Sequence, residues 1–214
     1  MINKKIHADF ISQREQNQPE PEIQTKLRES LLATFGDRLT LAERGAWEFG
    51  LTFELKREHA QDVFQKLKDD PQFSFNMLVD ITAVDWLDRR EPRFDVVYQL
   101  LSLSHLHRVC LKIRVSEDKP EVDSVRPLWP AANFLEREIW DMFGITFAGH
   151  GDLRRVLLYD EFVGHPLRKD YPIRGKQPRV PLRIPELRNT ADDMRREPLV
   201  SLPAGRHRKT AAQG

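Results

Sequence analysis

The spacing of apolar residues along the chain changes period several times, and each change marks an element. After Pro21, Ile23, Leu27 and Leu31 recur every fourth residue until Gly36, which predicts an amphipathic helix opened by the proline and stopped by the glycine. The period then drops to two: Trp47, Phe49, Leu51, Phe53 and Leu55 alternate with smaller or polar residues, and residues 39–41 can pair back on them as a hairpin with one buried face. From His59 to Lys68 the helical period returns, with Ala60, Val63, Phe64 and Leu67 on one stripe that ends before Pro71. Three strands are expected next, in "FNMLVDITAVDW", "FDVVYQLLSL" and "RVCLKIRV". A third helix is expected to open near Pro130, to run through "AANFLEREIWDMF" and to stop at Gly144. This order predicts an α+β fold, a mainly antiparallel sheet covered by helices.

Beyond Asp160 the periodicity stops. Seven of the fourteen prolines lie between Pro166 and Pro203, so residues 161–214 read as an extended Pro-rich tail that contacts partners, after a flexible lead-in (1–20) and an α+β domain (21–160). The net charge of +1 conceals an asymmetry: from Arg168 onward there are twelve Lys or Arg against five acids, which leaves −6 for the first 167 residues. No apolar run approaches the roughly 20 residues that span a bilayer, and the first residues lack a signal-peptide core, so the expectation is a soluble, unexported chain.

Composition narrows the chemistry. The single cysteine, Cys110, permits no intrachain disulfide and cannot by itself hold an iron–sulfur cluster. On its alternating strand Cys110 shares a side with Lys112 and Arg114, but no general base accompanies it, which favours a structural role over a nucleophilic one. The glycines at 144, 149, 151 and 164 match neither a dinucleotide fingerprint nor a P-loop. His105 and His107 would share a strand face, and His150, Asp152 or His165 are possible further ligands, but their spacing matches no metal motif; an independent metallohydrolase is therefore a minor alternative. The basic tail has no aromatics after Tyr171 and is interrupted by Glu186, Asp192, Asp193 and Glu197, which argues against nucleic-acid binding.

The densest mixture of charge and aromatics is at residues 135–160. On a helical wheel Leu135, Ile139, Met142 and Phe143 fall on one arc, and Glu136, Arg137, Glu138 and Asp141 on the other, with Arg137 able to reach Asp141 one turn on. With Phe134 and Trp140 beside these charges and Arg154, Arg155, Arg168 and Lys169 soon after, the composition is that of a protein contact surface.

The run "EREIWDMFGITFAGHGDLRRVLL" followed by "GHPLRKDYP" resembles the signature of the 30 kDa subunit of respiratory complex I, known in bacteria as the C subunit of NADH:quinone oxidoreductase. The matching positions are Glu136, Arg137, Glu138, Asp141, Met142, Phe143, His150, Arg154, Val156 and Leu157, and the looser resemblance spans 21–179; Gly151 stands where many members carry proline. The resemblance implies a non-catalytic subunit of the peripheral arm, on the cytoplasmic side of a bacterial inner membrane and reaching that membrane only through partners. It implies no cofactor in this chain, with FMN, iron–sulfur clusters and quinone held by other subunits. The main partner it implies is the large quinone-site subunit, together with its iron–sulfur neighbours. The residues expected at that contact are Glu136, Arg137, Glu138, Trp140, Asp141, His150, Arg154, Arg155, Arg168, Lys169, Asp170 and Tyr171. The equivalent subunit of a membrane-bound hydrogenase is the alternative within the same class.

Overall fold

A computed structural model describes residues 22–42, 51–174 and 177. Helix α1 (Glu22–Phe35) buries Leu27, Leu31 and Phe35, so its apolar stripe lies one turn later than the sequence suggests and leaves Ile23 exposed. Strand β1 (Leu39–Leu41) pairs antiparallel with β2 (Leu51–Leu55), Leu39 opposite Leu55, as the expected hairpin requires. Trp47 and Phe49, expected on the same hairpin, lie outside the described residues. Helix α2 (Ala60–Asp69) buries the expected Ala60, Val63, Phe64 and Leu67.

Strands β3 (Met77–Asp85), β4 (Phe94–Ser102) and β5 (His107–Val115) form an antiparallel meander. The sheet order is β1-β2-β5-β4-β3, with β2 and β5 parallel. The α+β class therefore holds, and the sheet is mixed, with one parallel pairing beside three antiparallel ones. The parallel pair follows from connectivity: α2, β3 and β4 intervene before β5 returns beside β2, which leaves room for a long crossover rather than a tight turn. Phe64 anchors α2 on this sheet, its ring 4.7 Å from Tyr98 of β4 and 5.9 Å from the edge-on Trp129 ring.

Two short strands went unpredicted, since three residues are too few to show a period. Strand β6 (Glu121–Asp123) runs parallel to β7 (Thr146–Ala148), and helix α3 (Ala132–Phe143) connects them. This β6–α3–β7 unit brings the chain before α3 beside the chain after it, with Ser124 N–H donating to the Ala148 carbonyl at 2.9 Å at the end of the paired residues. Helix α3 ends at Gly144 as expected, with φ +74 in the left-handed region and its N–H bonded to the Trp140 carbonyl at 2.9 Å.

The boundary expected near 160 falls within residues that bond to the domain. The segment 162–171, hereafter the strap, returns to the end of α3 and to the β3–β4 corner. The chain divides into units Met1–Gln177 and Pro178–Gly214, and the second lies outside the described residues, as does the lead-in.

Candidate functional site: a charged helix and its strap

The last turn of any α-helix leaves carbonyl oxygens without intrahelical partners. In α3 the strap supplies the donors: His165 Nδ1 bonds to the Asp141 carbonyl at 2.9 Å, Leu167 N–H to the Met142 carbonyl at 3.1 Å, and Arg168 Nε to the Phe143 carbonyl. Such close approach requires glycine at 144, because a Cβ there would stand 2.6 Å from the His165 ring and 2.8 Å from Arg168 Nη2. Gly144→Ala combines that clash with a left-handed backbone and is expected to cost about 1–3 kcal/mol, read as a lower urea midpoint at unchanged m-value.

Asp141 is the centre of a second set of bonds. Its Oδ2 accepts the N–H groups of Val156, Leu157 and Leu158 at 3.1, 2.9 and 3.0 Å, and its Oδ1 accepts Arg155 Nη1 at 2.6 Å. Arg155 also donates to the Phe162 carbonyl at 2.7 Å and lies between the Trp140 and Phe162 rings, 5.7 and 5.8 Å from their centroids. Burial acts to raise the Asp141 pKa, but the three amides and Arg155 outweigh it and hold the carboxyl below its ordinary value.

Arg137 does not pair with Asp141 as the helical wheel suggests. It crosses to the following loop and donates to the carbonyls of Arg154 and Arg155 at 3.1 and 3.0 Å. Glu136 faces β6, accepting Ser124 Oγ–H at 2.6 Å and Val125 N–H at 2.7 Å. His150 is buried, with Nε2 bonded to the Asn133 carbonyl at 3.1 Å and Nδ1 accepting the Asp152 N–H at 3.3 Å. The expected charged outer face is thus corrected: Glu136, Arg137 and Asp141 are buried within the chain, and only Glu138 of the four is exposed. The wheel misleads because it assumes one buried side, whereas loops from both ends of the β6–α3–β7 unit close over the polar side as well.

A third cluster was not foreseen. Arg93, at the start of β4, grips Asp85 of β3 with two bonds, Nε to Oδ1 at 2.9 Å and Nη2 to Oδ2 at 2.8 Å. It reaches Asp170 of the strap at 2.7 Å and Glu117 through Nη1, while Lys169 N–H donates to Asp85 Oδ2 at 2.8 Å. Burial works against the charge on Asp85, yet Arg93 and the Lys169 and Leu87 amides bring its pKa down to about 2. The bond to Asp85 likewise raises the Arg93 pKa. Strand parity carries the signal that sequence reading missed, since Asp85 falls on the same inward alternation as Ile81 and Ala83.

The remaining candidates are more scattered. Arg154 pairs with Asp152 at 3.1 Å with both side chains exposed, Lys169 is exposed, and Tyr171 stacks on Phe162 with centroids 6.0 Å apart. His105 and His107 stack 5.6 Å apart at the β4–β5 turn, and His105 bonds to the Pro71 carbonyl. Among the described residues no group of three or more His, Cys, Asp or Glu is arranged to hold a metal ion. Gly151 has φ +83, in the left-handed region that a proline ring cannot adopt.

These features define a class of scaffold in which a short helix binds a C-terminal strap to a mixed sheet through buried charges. Residues 53–177, which include every charge just described, match the family described as "Respiratory-chain NADH dehydrogenase, 30 Kd subunit", and the chain belongs to that family. It is 45% identical over 150 residues to the C subunit of the NADH-quinone oxidoreductase of Roseiflexus castenholzii, covering 69% of this chain and 86% of that one. It is 46% identical over 125 residues to the corresponding NADH-quinone oxidoreductase subunit of Geobacter metallireducens, covering 58% and 76%. Among solved structures it is similar to a trypsin-resistant fragment (1-134) of Nqo5, with TM-score 0.52 and 34% identity over 61% of this chain and 99% of that one. It shares its fold with a chain of the membrane-bound sulfane sulfur reductase, an archaeal respiratory membrane complex, at TM-score 0.55 and 24% identity over 70% of this chain and 85% of that one. No helix among the described residues is long and apolar enough to cross a membrane.

Proposed function

We propose that this chain is a non-catalytic structural subunit in the peripheral arm of a proton-translocating NADH:quinone oxidoreductase, where it docks the large quinone-site subunit and so supports electron transfer from NADH to quinone. It works on the cytoplasmic side of a bacterial inner membrane and touches that membrane through its partners. FMN, iron–sulfur clusters and quinone belong to other subunits, and this chain contributes shape and contacts. The observation that carries the reading is the family match over 53–177, which contains the whole braced motif.

The surface of the motif supports a docking role. Leu157, Tyr159, Val163, Leu167 and Ile173 are all exposed, although the segment carrying them is held to the domain by the Asp141, α3 and Arg93 bonds. A fixed backbone that displays large apolar side chains loses little entropy on association. The exposed Lys169 lies within this row and Glu138 is exposed on α3, and the basic stretch after Gln177 is assigned to partner contacts as well.

The test is purification of the tagged full chain from its native membrane. Flavin-containing NADH-oxidising and quinone-site subunits should co-purify; hydrogenase subunits in their place, or no partners, would refute the assignment. Val163→Asp and Glu138→Lys should each shift stability by less than about 0.5 kcal/mol and still reduce the yield of assembled complex several-fold. Full assembly of both variants would move the docking surface elsewhere.

A further inference from the structure

Four carboxylates are buried among the described residues: Asp85, Asp95, Glu136 and Asp141. Three of them face an arginine, Asp85 meeting Arg93, Asp95 meeting Arg90 and Asp141 meeting Arg155. Glu136 does not. Its partner within ion-pair range among the described residues is His150, whose Nε2 lies 3.9 Å from Glu136 Oε2.

That histidine is committed elsewhere. Nδ1 lies 3.3 Å from the Asp152 N–H and Nε2 lies 3.1 Å from the Asn133 carbonyl, so both ring nitrogens are engaged by the backbone rather than by Glu136. The other elements packed around Glu136 bring no arginine or lysine into ion-pair contact with it among the described residues, and Arg126 acts on it only from a distance. From the segment after β6 come the Ser124 hydroxyl and the Val125 amide, while Arg126 directs Nη1 to the His150 carbonyl. From β4 comes Tyr98, a buried phenol whose hydroxyl has no hydrogen-bond partner and whose pKa is raised by burial first and then by the charges of Glu136 and Asp123. An ionised carboxylate here would be fully desolvated with only neutral donors in contact, whereas a carboxylic acid would fit the same atoms.

We propose that Glu136 is a proton-binding site whose occupancy sets how firmly residues 124–126 and the His150 loop are held to α3. The proton comes from solvent and returns to it, and no other covalent bond changes. In the acid form the Ser124 hydroxyl reverses its role and accepts from the carboxyl O–H, while Val125 N–H still donates to the other oxygen, so the contact persists with both groups neutral. Loss of the proton leaves a buried charge that the Ser124 hydroxyl, the Val125 amide and the more distant Arg126 compensate only in part, which favours opening of the contact to water. Burial, opposed by the Ser124 and Val125 bonds and by Arg126, pushes the Glu136 pKa up to about 7, within the range of neutral solutions.

The sign follows from linkage. A carboxyl whose pKa is higher folded than unfolded stabilises the fold fully below the unfolded value, and that contribution is lost as pH rises through about 7. His107 and His165, lowered mainly by burial, act in the opposite direction around their ordinary value, so the effect is read as a difference between two proteins. In urea titrations of the full chain, the ratio of wild-type to Glu136→Gln folding constants should fall on the order of 50-fold from about pH 5 to about pH 8. A ratio independent of pH overturns the proposal. Infrared spectroscopy of the wild type gives a readout that does not require the variant to fold. The C=O band of a protonated, buried carboxylic acid should be present at about pH 6 and vanish by about pH 9, whereas complete ionisation of every carboxyl by about pH 6 would refute the site.

Discussion

Asp141→Ala should be among the most damaging single substitutions in the chain, lowering stability by about 3–5 kcal/mol. The carboxylate is fully buried, and four donors meet at it, three backbone amides and the Arg155 guanidinium. Alanine removes every acceptor at once, leaving three N–H groups without their partner and a mostly buried cation unpaired. For a domain whose total stability is typically about 5–15 kcal/mol, that loss brings the unfolding transition close to physiological temperature. Asp141→Asn is the informative companion, because the amide oxygen can still accept but the charge opposite Arg155 is gone; it should fall between wild type and alanine. Chemical denaturation of the three proteins measures the series, and a loss below about 1 kcal/mol for alanine would show that the 156–158 loop finds its order elsewhere.

The pH profile should carry the marks of these buried acids. Asp85 and Asp141 have lowered pKa values, so the stability they contribute is present above the ordinary carboxylate range and is lost as pH falls below it. Glu136 acts in the reverse direction, its contribution being lost as pH rises through about 7. The same burial gives opposite titrations because Asp85 and Asp141 each add a directly bonded arginine to their backbone amide donors, whereas Glu136 is bonded to neutral donors and feels Arg126 only from a distance.

Period carried much of the fold into the sequence. Helix α2 and strands β3 to β5 fall where the sequence places them, α2 with one buried apolar stripe and the central strand β4 as an apolar run buried along nearly its whole length. The parallel β2–β5 pairing was not legible, because adjacency in a sheet depends on which faces remain uncovered after all elements have packed. The motif was visible as a dense cluster of charge and aromatics, but the direction of each side chain was not. A helical wheel sorts residues by angle alone, and nothing in the angle says that Arg137 will reach the Arg154 and Arg155 carbonyls or that Glu136 will meet Ser124. Those outcomes depend on β6 and β7, which are too short to announce themselves.

The strap shows the same limit. Prolines at 166 and 172 suggest an extended tail that contacts partners, yet a segment without apolar periodicity can still be held to the domain when donors are spaced along it to match an existing helix end. His165, Leu167 and Arg168 meet three successive carbonyls of α3, so the segment is folded by what it caps.

Arg93→Leu tests the other end of that attachment. Arg93 is 2% exposed and binds Asp85, whose side chain is fully buried, so its removal leaves an uncompensated interior carboxylate and should cost about 3–5 kcal/mol. Part of the damage should reach the strap, because Arg93 is also the partner of Asp170 and fixes the carboxylate that accepts the Lys169 amide. Trypsin reports this separately: cleavage after Arg168 or Lys169, slow while both residues are tied to the domain, should become about tenfold faster as local opening grows. A double variant that also replaces Asp85 by leucine removes the orphaned charge, and paired apolar replacement of a buried ion pair is often close to neutral. It should therefore recover stability relative to Arg93→Leu, with a coupling energy of about 1–3 kcal/mol in the double-mutant cycle. It should not restore resistance to trypsin, because the Lys169 amide and Asp170 still lack their partners. Wild-type cleavage in the double variant would show that the α3 cap alone holds the strap, and a single variant as stable as wild type would remove the Arg93 cluster from the account of how this surface is kept rigid.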